Sequence, residues 1–280
     1  MVQMKISVII PNYNYARYLD QAIESVLAQS YENVELVVVN NGSTDNSLEV
    51  LAKYRNKIHL INQPNLGQSG ARNSGLSVSS GEYISFLDAD DFWEPNKLEM
   101  QISLMNDSTQ LVYCGISPFK DPGNEKLQSV LPKYRGSCTN YFIDLPGASI
   151  VLSGESTALF SRDLLQKVGL FDAELNSTAG WDFFRRCSLL TRFDFVSEPL
   201  VNYRLHSSNM SNSNNQVILD MRRAYSKLFD DKDWAIPKKQ EIAIRRTLEW
   251  SYLKTYLRTK DYKSAFTSGV RLLKLISKPF

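Results

Sequence analysis

Along the first hundred residues, short apolar runs alternate with segments whose apolar positions recur three and four apart. Ile6-Ser7-Val8-Ile9-Ile10 is nearly continuous, as expected for a strand buried on both faces. Tyr18, Leu19, Ala22, Ile23, Val26 and Leu27 then mark one face of an amphipathic helix. Val34 to Val39 predicts a second strand, and Asn41-Gly42-Ser43-Thr44-Asp45 supplies turn and cap chemistry for a helix near Asn46. Ile58 to Ile61 predicts a third strand, Gln68 to Val78 a helix, and Tyr83 to Leu87 a fourth strand. Pro95 is placed as the first residue of another helix. This alternation predicts an α/β fold: a mostly parallel, Rossmann-like sheet with helices on both faces.

The middle of the chain is less periodic. Ser117 to Pro146 is predicted as loop with short strands, Leu159 to Val168 and Trp181 to Leu190 as helices, and Phe195 to Leu205 as extended. Ser207 to Asn215 is a polar linker, followed by amphipathic helices at Ile218 to Phe229, Lys239 to Leu257 and Ala265 to Ile276.

Composition narrows the class. The 280 residues are 43% hydrophobic and 22% charged with a net charge of +2, which excludes disordered and fibrous proteins and gives no average pull toward nucleic acid. Charge is unevenly placed. Pro237 to Phe280 carries 11 Lys/Arg against 3 Asp/Glu, leaving 21 against 27 in the first 236 residues. Such basic helices, with apolar positions at Ile242, Leu248, Tyr252, Tyr256, Phe266, Val270, Leu273 and Ile276, can lie in a membrane interface or pack on a core. Cys114, Cys138 and Cys187 form no CxxC or zinc spacing and fit reduced thiols. There is no signal-peptide core and no membrane-spanning run of about 18 apolar residues. The expected location is cytoplasmic, with peripheral contact at the inner face of a membrane.

In a parallel sheet the ligand lies beyond the carboxyl ends of the strands. Pro11-Asn12-Tyr13-Asn14, Asn40-Asn41-Gly42-Ser43 and Asp88-Ala89-Asp90-Asp91 all fall there. Carboxylates at a strand mouth are hard ligands for Mg²⁺ or Mn²⁺ and could serve a nucleotide diphosphate; they could also cap the next helix. His59, within a predicted strand, is read as structural.

Several segments, in order, resemble glycosyltransferase family 2, the inverting transferases of GT-A fold. They are Ser7 to Asn14, Ala28-Gln29-Ser30-Tyr31, Asn41 to Asp45, Asn65-Leu66-Gly67-Gln68 with Ala71-Arg72-Asn73, Phe86 to Asp91, Val168 to Asp172, Trp181-Asp182 and Tyr203-Arg204-Leu205-His206. The resemblance implies a GT-A domain over 1–210, with a nucleotide-binding half (1–110) and an acceptor half (111–210), and a helical appendage over 211–280. It implies that Pro11 and Tyr13 line the base pocket and that Arg72 approaches the base or diphosphate. Asp88 would contact ribose or metal, and Asp90 and His206 would hold the Mg²⁺ or Mn²⁺. Asn41 stands where the family has an aspartate accepting from uracil; its side-chain carbonyl can still accept.

One departure concerns the chemistry. Where the family has Glu-Asp-Trp-Asp, with the first Asp as general base, this chain reads Ala179-Gly180-Trp181-Asp182. Asp182 could serve instead, Glu155 or Glu174 could reach the site, or activity could be lost. The expected function is inverting transfer from a nucleotide-sugar, a UDP-sugar by class, to a glycan or lipid-linked acceptor in polysaccharide, lipopolysaccharide or glycolipid assembly. The alternative is a nucleotide-sugar-binding protein of weak or no activity. Neither involves nucleic acid.

Overall fold

The structure, a computed structural model, describes residues 3–146, 151, 154–207, 209 and 214–277. Two compact units are present: Met1–Thr139 with Ser149–Asn209, and Asn140–Ala148 with Met210–Phe280.

The first unit is built on an eight-stranded sheet. Its strands are β1 (Ile6–Asn12), β2 (Val34–Asn41), β3 (His59–Gln63), β4 (Tyr83–Phe86), β5 (Phe92–Trp93), β6 (Leu111–Lys120), β7 (Leu159–Ser161) and β8 (Phe193–Leu205). Their order is β3-β2-β1-β4-β7-β6-β8-β5. Helices α1 (Ala16–Leu27), α2 (Ser47–Ala52), α3 (Gly67–Val78) and α4 (Lys97–Ile102) follow the early strands, and α6 (Arg162–Val168) and α7 (Ala179–Ser188) the later ones. The short α5 (Thr139–Asp144) spans the division between the units.

The predicted strand-helix alternation of the first ninety residues is present. β1, β2, β3 and β4 are mutually parallel, and the register Asn12↔Asn40 and Asn41↔Gln63 sets the polar ends of β1, β2 and β3 side by side. Ile6, Val8, Ile9 and Ile10 are fully buried, as their unbroken apolar run required. The Leu19, Ala22, Ile23 and Val26 stripe of α1 faces the same core.

The second half differs from the expected pattern. The sheet is mixed: β7 runs antiparallel to both β4 and β6, and β5 antiparallel to β8. Leu159 to Val168, expected as one helix, is β7 followed by α6. Leu159 and Phe160 are fully buried between two neighbouring strands. The Ser161 hydroxyl then caps α6 by accepting from Leu164 N at 3.0 Å. A short apolar run satisfies either period, and only the sheet partners decide it. Within the expected loop from Ser117, β6 continues to Lys120 against β8. The helix after Pro95 begins two residues later, at Lys97.

The second unit contains α8 (Asn214–Asp230), α9 (Lys238–Arg258) and α10 (Tyr262–Ile276). Phe142, Tyr225, Trp234, Ile242, Leu248, Tyr252 and Tyr256 are buried, so the apolar positions of α9 are spent on packing. Arg222 forms a two-bond pair with Glu249, at 3.0 and 2.8 Å. On α10, Phe266 (75% exposed), Leu273 (66%) and Ile276 (57%) face outward. No helix among the described residues is long and apolar enough to cross a membrane. Most of the predicted polar linker, at 208 and 210–213, lies outside the described residues.

Candidate active site

The loops after β1 and β2 are stitched together by their own polar side chains. Asn12 Nδ2 donates to Ser43 Oγ at 3.1 Å, and Asn14 Oδ1 accepts from Thr44 N at 2.7 Å. Gly42 has φ +79°, and a Cβ there would lie 2.8 Å from Asn65 N, so only glycine permits the β2 loop to meet the β3 loop. Pro11, at the end of β1, is half-buried, and Tyr13, in the loop that follows, is 45% exposed.

Asn41 is placed otherwise than the base-contact expectation required. It is buried, and its carbonyl oxygen already accepts from Gln63 Nε2 (2.8 Å) and Leu66 N (3.0 Å). Its amide donates to Asn65 Oδ1 (3.2 Å) and Gly67 O (3.1 Å). All four bonding positions are used within the protein, so Asn41 holds the β2 and β3 loops together rather than presenting an acceptor to a base.

Three long-range returns bring the remaining groups to the end of β4. Gln68 and Arg72, one turn apart on α3, both donate to Asp88 Oδ1, at 3.3 and 2.9 Å. Because β7 returns antiparallel beside β4, the 3₁₀ turn Gly154–Thr157 that precedes it lies against Asp88. Asp88 N donates to Ser156 Oγ at 3.0 Å, and Glu155 Oε2 sits 3.2 Å from Arg72 Nη2. One guanidinium nitrogen therefore bridges the Asp88 and Glu155 carboxylates. Finally, β8 pairs with β5, which carries the end of β8 to Asp90 and Asp91. Arg204 donates from its backbone to Asp91 Oδ1 (3.0 Å) and from Nε to Asp90 O (2.8 Å). His206 Nε2 lies 3.0 Å from Asp90 Oδ2, with the rings of Tyr15 and Tyr18 against the imidazole.

The electrostatics are those of crowded acids. Burial, then the neighbouring Asp88, pushes the Asp90 carboxyl up; burial and both neighbours push Asp91 well up. Burial also raises Glu155, opposed by Arg72. The Tyr15 phenol is raised by burial and by all three aspartates. Such a cluster favours a cation beside it. Among the described residues no group of three or more His, Cys, Asp or Glu side chains is gathered as a complete metal cage. Asp90 and His206 nevertheless bring one carboxylate oxygen and one imidazole nitrogen to the same point. That donor pair fits a small divalent cation that takes the rest of its shell from water and substrate phosphates.

Asp182, expected as the base, is committed elsewhere. Its Oδ1 accepts from Arg185 Nη2 at 2.9 Å and its Oδ2 from Arg186 Nε at 2.9 Å, inside a nearly buried ion triplet. The i+3 and i+4 spacing of those arginines was readable in the sequence. Glu174 is exposed on the loop before α7. Glu155 is buried and adjoins Gly180. Its sequence signal was indirect: a missing acid at 180 calls for an acid from elsewhere. Arg204 and Tyr15 frame the acidic end of β4; Arg204 fell within the recognised Tyr203–His206 segment but was given no role there, and Tyr15 carried no signal.

The parallel nucleotide-type half sheet, the acidic strand end and the antiparallel second half together define a glycosyltransferase fold of GT-A type. The sequence profile of Glycosyl transferase family 2 matches residues 7–169, and the chain belongs to that family. It is 33% identical over 243 residues to an uncharacterised glycosyltransferase of Rickettsia prowazekii, covering 86% of this chain and 75% of that protein. It is 36% identical over 214 residues to an uncharacterised glycosyltransferase of Nostoc sp., covering 74% and 66%. Among solved structures it resembles S. aureus TarS 1–349 in complex with UDP-GlcNAc, with TM-score 0.65 and 20% identity over 95% of this chain and 90% of that one. It also resembles the mannosyltransferase PcManGT from Pyrobaculum calidifontis in complex with GDP-Man and Mn²⁺, with TM-score 0.64 and 15% identity over 100% and 82%.

Proposed function

We propose that the chain is an inverting transferase that moves a sugar from a nucleotide-sugar, a UDP-sugar by class, to a glycan or lipid-linked acceptor hydroxyl. The observation that carries this reading is the convergence of Asp88, Asp90, Arg72 and His206 at the end of β4, beside the loops of β1 and β2. Residues 1–110 provide the donor half and 111–210 the acceptor half. Tyr13, exposed in the loop after β1, offers its ring to the base, and Pro11 lines the same pocket. Asp88, which accepts from Gln68 and Arg72, would contact the ribose or the metal. Asp90 and His206 would hold Mg²⁺ or Mn²⁺, which when bound offsets charge on the departing diphosphate. Arg204 keeps the Asp90–Asp91 turn in place through two hydrogen bonds.

The outward residues of α10, with Lys263 and Lys274 among them, support peripheral contact with an anionic membrane, where a lipid-linked acceptor would be found. The donor-side reading is tested with Asp90→Ala. The parent should bind UDP more tightly with Mn²⁺ than with chelator, and the variant should lose that difference while keeping its far-UV circular dichroism. An unchanged metal effect in the variant removes Asp90 from the site.

A further inference from the structure

The family's acid is absent at position 180, yet the space that its side chain would take is filled. A Cβ on Gly180 would fall 2.7 Å from Glu155 Oε1 and 3.1 Å from Oε2, so a side chain at 180 and the Glu155 carboxylate compete for one volume. Backbone conformation does not demand glycine here: Gly180 lies inside α7 and is not among the described glycines with positive φ. What it accommodates is the carboxylate. That carboxylate is anchored at one oxygen only. Oε2 pairs with Arg72, whereas Oε1 has no hydrogen-bond partner among the described residues. A buried carboxylate oxygen left without a donor in the free protein is suited to receive one from a bound molecule. Its position is also defined relative to the donor side, one guanidinium nitrogen away from Asp88.

We propose that Glu155 is the catalytic base, delivered from the turn before β7 into the volume that glycine vacates at the start of α7. Oε1 takes the proton of the acceptor hydroxyl while the acceptor oxygen bonds to the anomeric carbon. The bond from that carbon to the β-phosphate oxygen breaks, and its electron pair leaves with the nucleoside diphosphate. The inference rests on the transferase reading above. It also accounts for Asp182, both of whose carboxylate oxygens are engaged by Arg185 and Arg186 of its own helix, Arg186 donating in turn to Val168 O and Leu170 O.

The test uses the full chain with Mn²⁺, UDP-GlcNAc or GDP-mannose as donor and water as acceptor, read as free UDP or GDP. Binding of UDP and GDP is measured in parallel by calorimetry. Glu155→Gln, nearly isosteric, should bind diphosphate like the parent and lose about 100- to 10,000-fold in kcat with little change in donor KM. Gly180→Ala, which pushes a methyl group into the carboxylate, should also lower kcat. Gly180→Asp combined with Glu155→Ala should recover about tenfold or more over Glu155→Ala alone, by returning a carboxylate to the site from α7. A residue that only steadied Arg72 would show its loss in KM and diphosphate binding. That pattern overturns the proposal, as does a kcat for Glu155→Gln within about threefold of the parent. A parent that binds diphosphate and turns over neither donor overturns it too. A parent that binds neither diphosphate refutes the transferase reading itself, an outcome that the binding arm separates from a failure of Glu155 alone.

Discussion

Asn41→Asp restores the acid that the family carries at the end of its second strand, and the structure makes it a destabilising change. The Asn41 amide donates two hydrogen bonds, to Asn65 Oδ1 and Gly67 O, at 3.2 and 3.1 Å. A carboxylate cannot donate, so both bonds are lost, at about 0.5–1.5 kcal/mol each. It also sets an anionic oxygen against two acceptor oxygens at a site only 3% exposed, where water cannot intervene. Rotating the Asn65 amide would relieve one clash but forfeit the bond that Asn65 Oδ1 accepts from Gly67 N at 2.9 Å. The two bonds retained by the other oxygen, from Gln63 and Leu66, keep the loss finite. The expected cost is about 2–4 kcal/mol at neutral pH. The introduced carboxyl is easier to bury neutral, so its native pKa lies above the unfolded value. The penalty is full above that raised pKa and shrinks as pH falls through it. Urea unfolding of parent and variant, followed by tryptophan fluorescence, measures this at about pH 7.5 and about pH 5. The reasoning fails if the two proteins unfold at the same urea concentration at neutral pH, or if the deficit is the same at both pH values.

Two further outcomes follow from other parts of the molecule. Lys97 is completely buried, with Nζ 2.8 Å from Gln101 Oε1 and 3.8 Å from the centre of the Trp93 ring, and burial lowers its pKa from 10.5 to about 8. The native state therefore releases this proton before the unfolded chain does. The burial cost is fully present below about 8 and relieved as pH rises toward 10.5, by an amount on the order of 3 kcal/mol. The stability of the parent relative to Lys97→Met should rise across that interval in chemical unfolding; a constant difference would contradict the depressed pKa. For α10, the full chain should co-sediment with anionic but not neutral vesicles, more weakly in high salt. Phe266→Ser with Leu273→Ser should reduce that binding about tenfold or more, and equal sedimentation of parent and variant would remove α10 as a membrane face.

What could be read directly from the chain was local. The apolar run of β1 and the three-and-four spacing of α1 report burial within a single element, so their positions followed from the residues alone. The polar clusters at Asn12, Asn41 and Asp88 could be assigned to one edge because parallel strands all end on the same side. The triplet of Asp182 with Arg185 and Arg186 also lies within one helix turn and was open to the same reasoning. Tertiary structure decided the rest. Leu159 and Phe160 became strand because β4 and β6 flank them, and no local period distinguishes that from a helix. The antiparallel return of β7 puts Glu155 beside Arg72 and Gly180, residues 83 and 25 positions away in the chain. Likewise the pairing of β8 with β5 brings His206 to Asp90, 116 positions away. A carboxylate that fills the space of a missing side chain is a relation between surfaces, and it exists only once the sheet has brought those surfaces together.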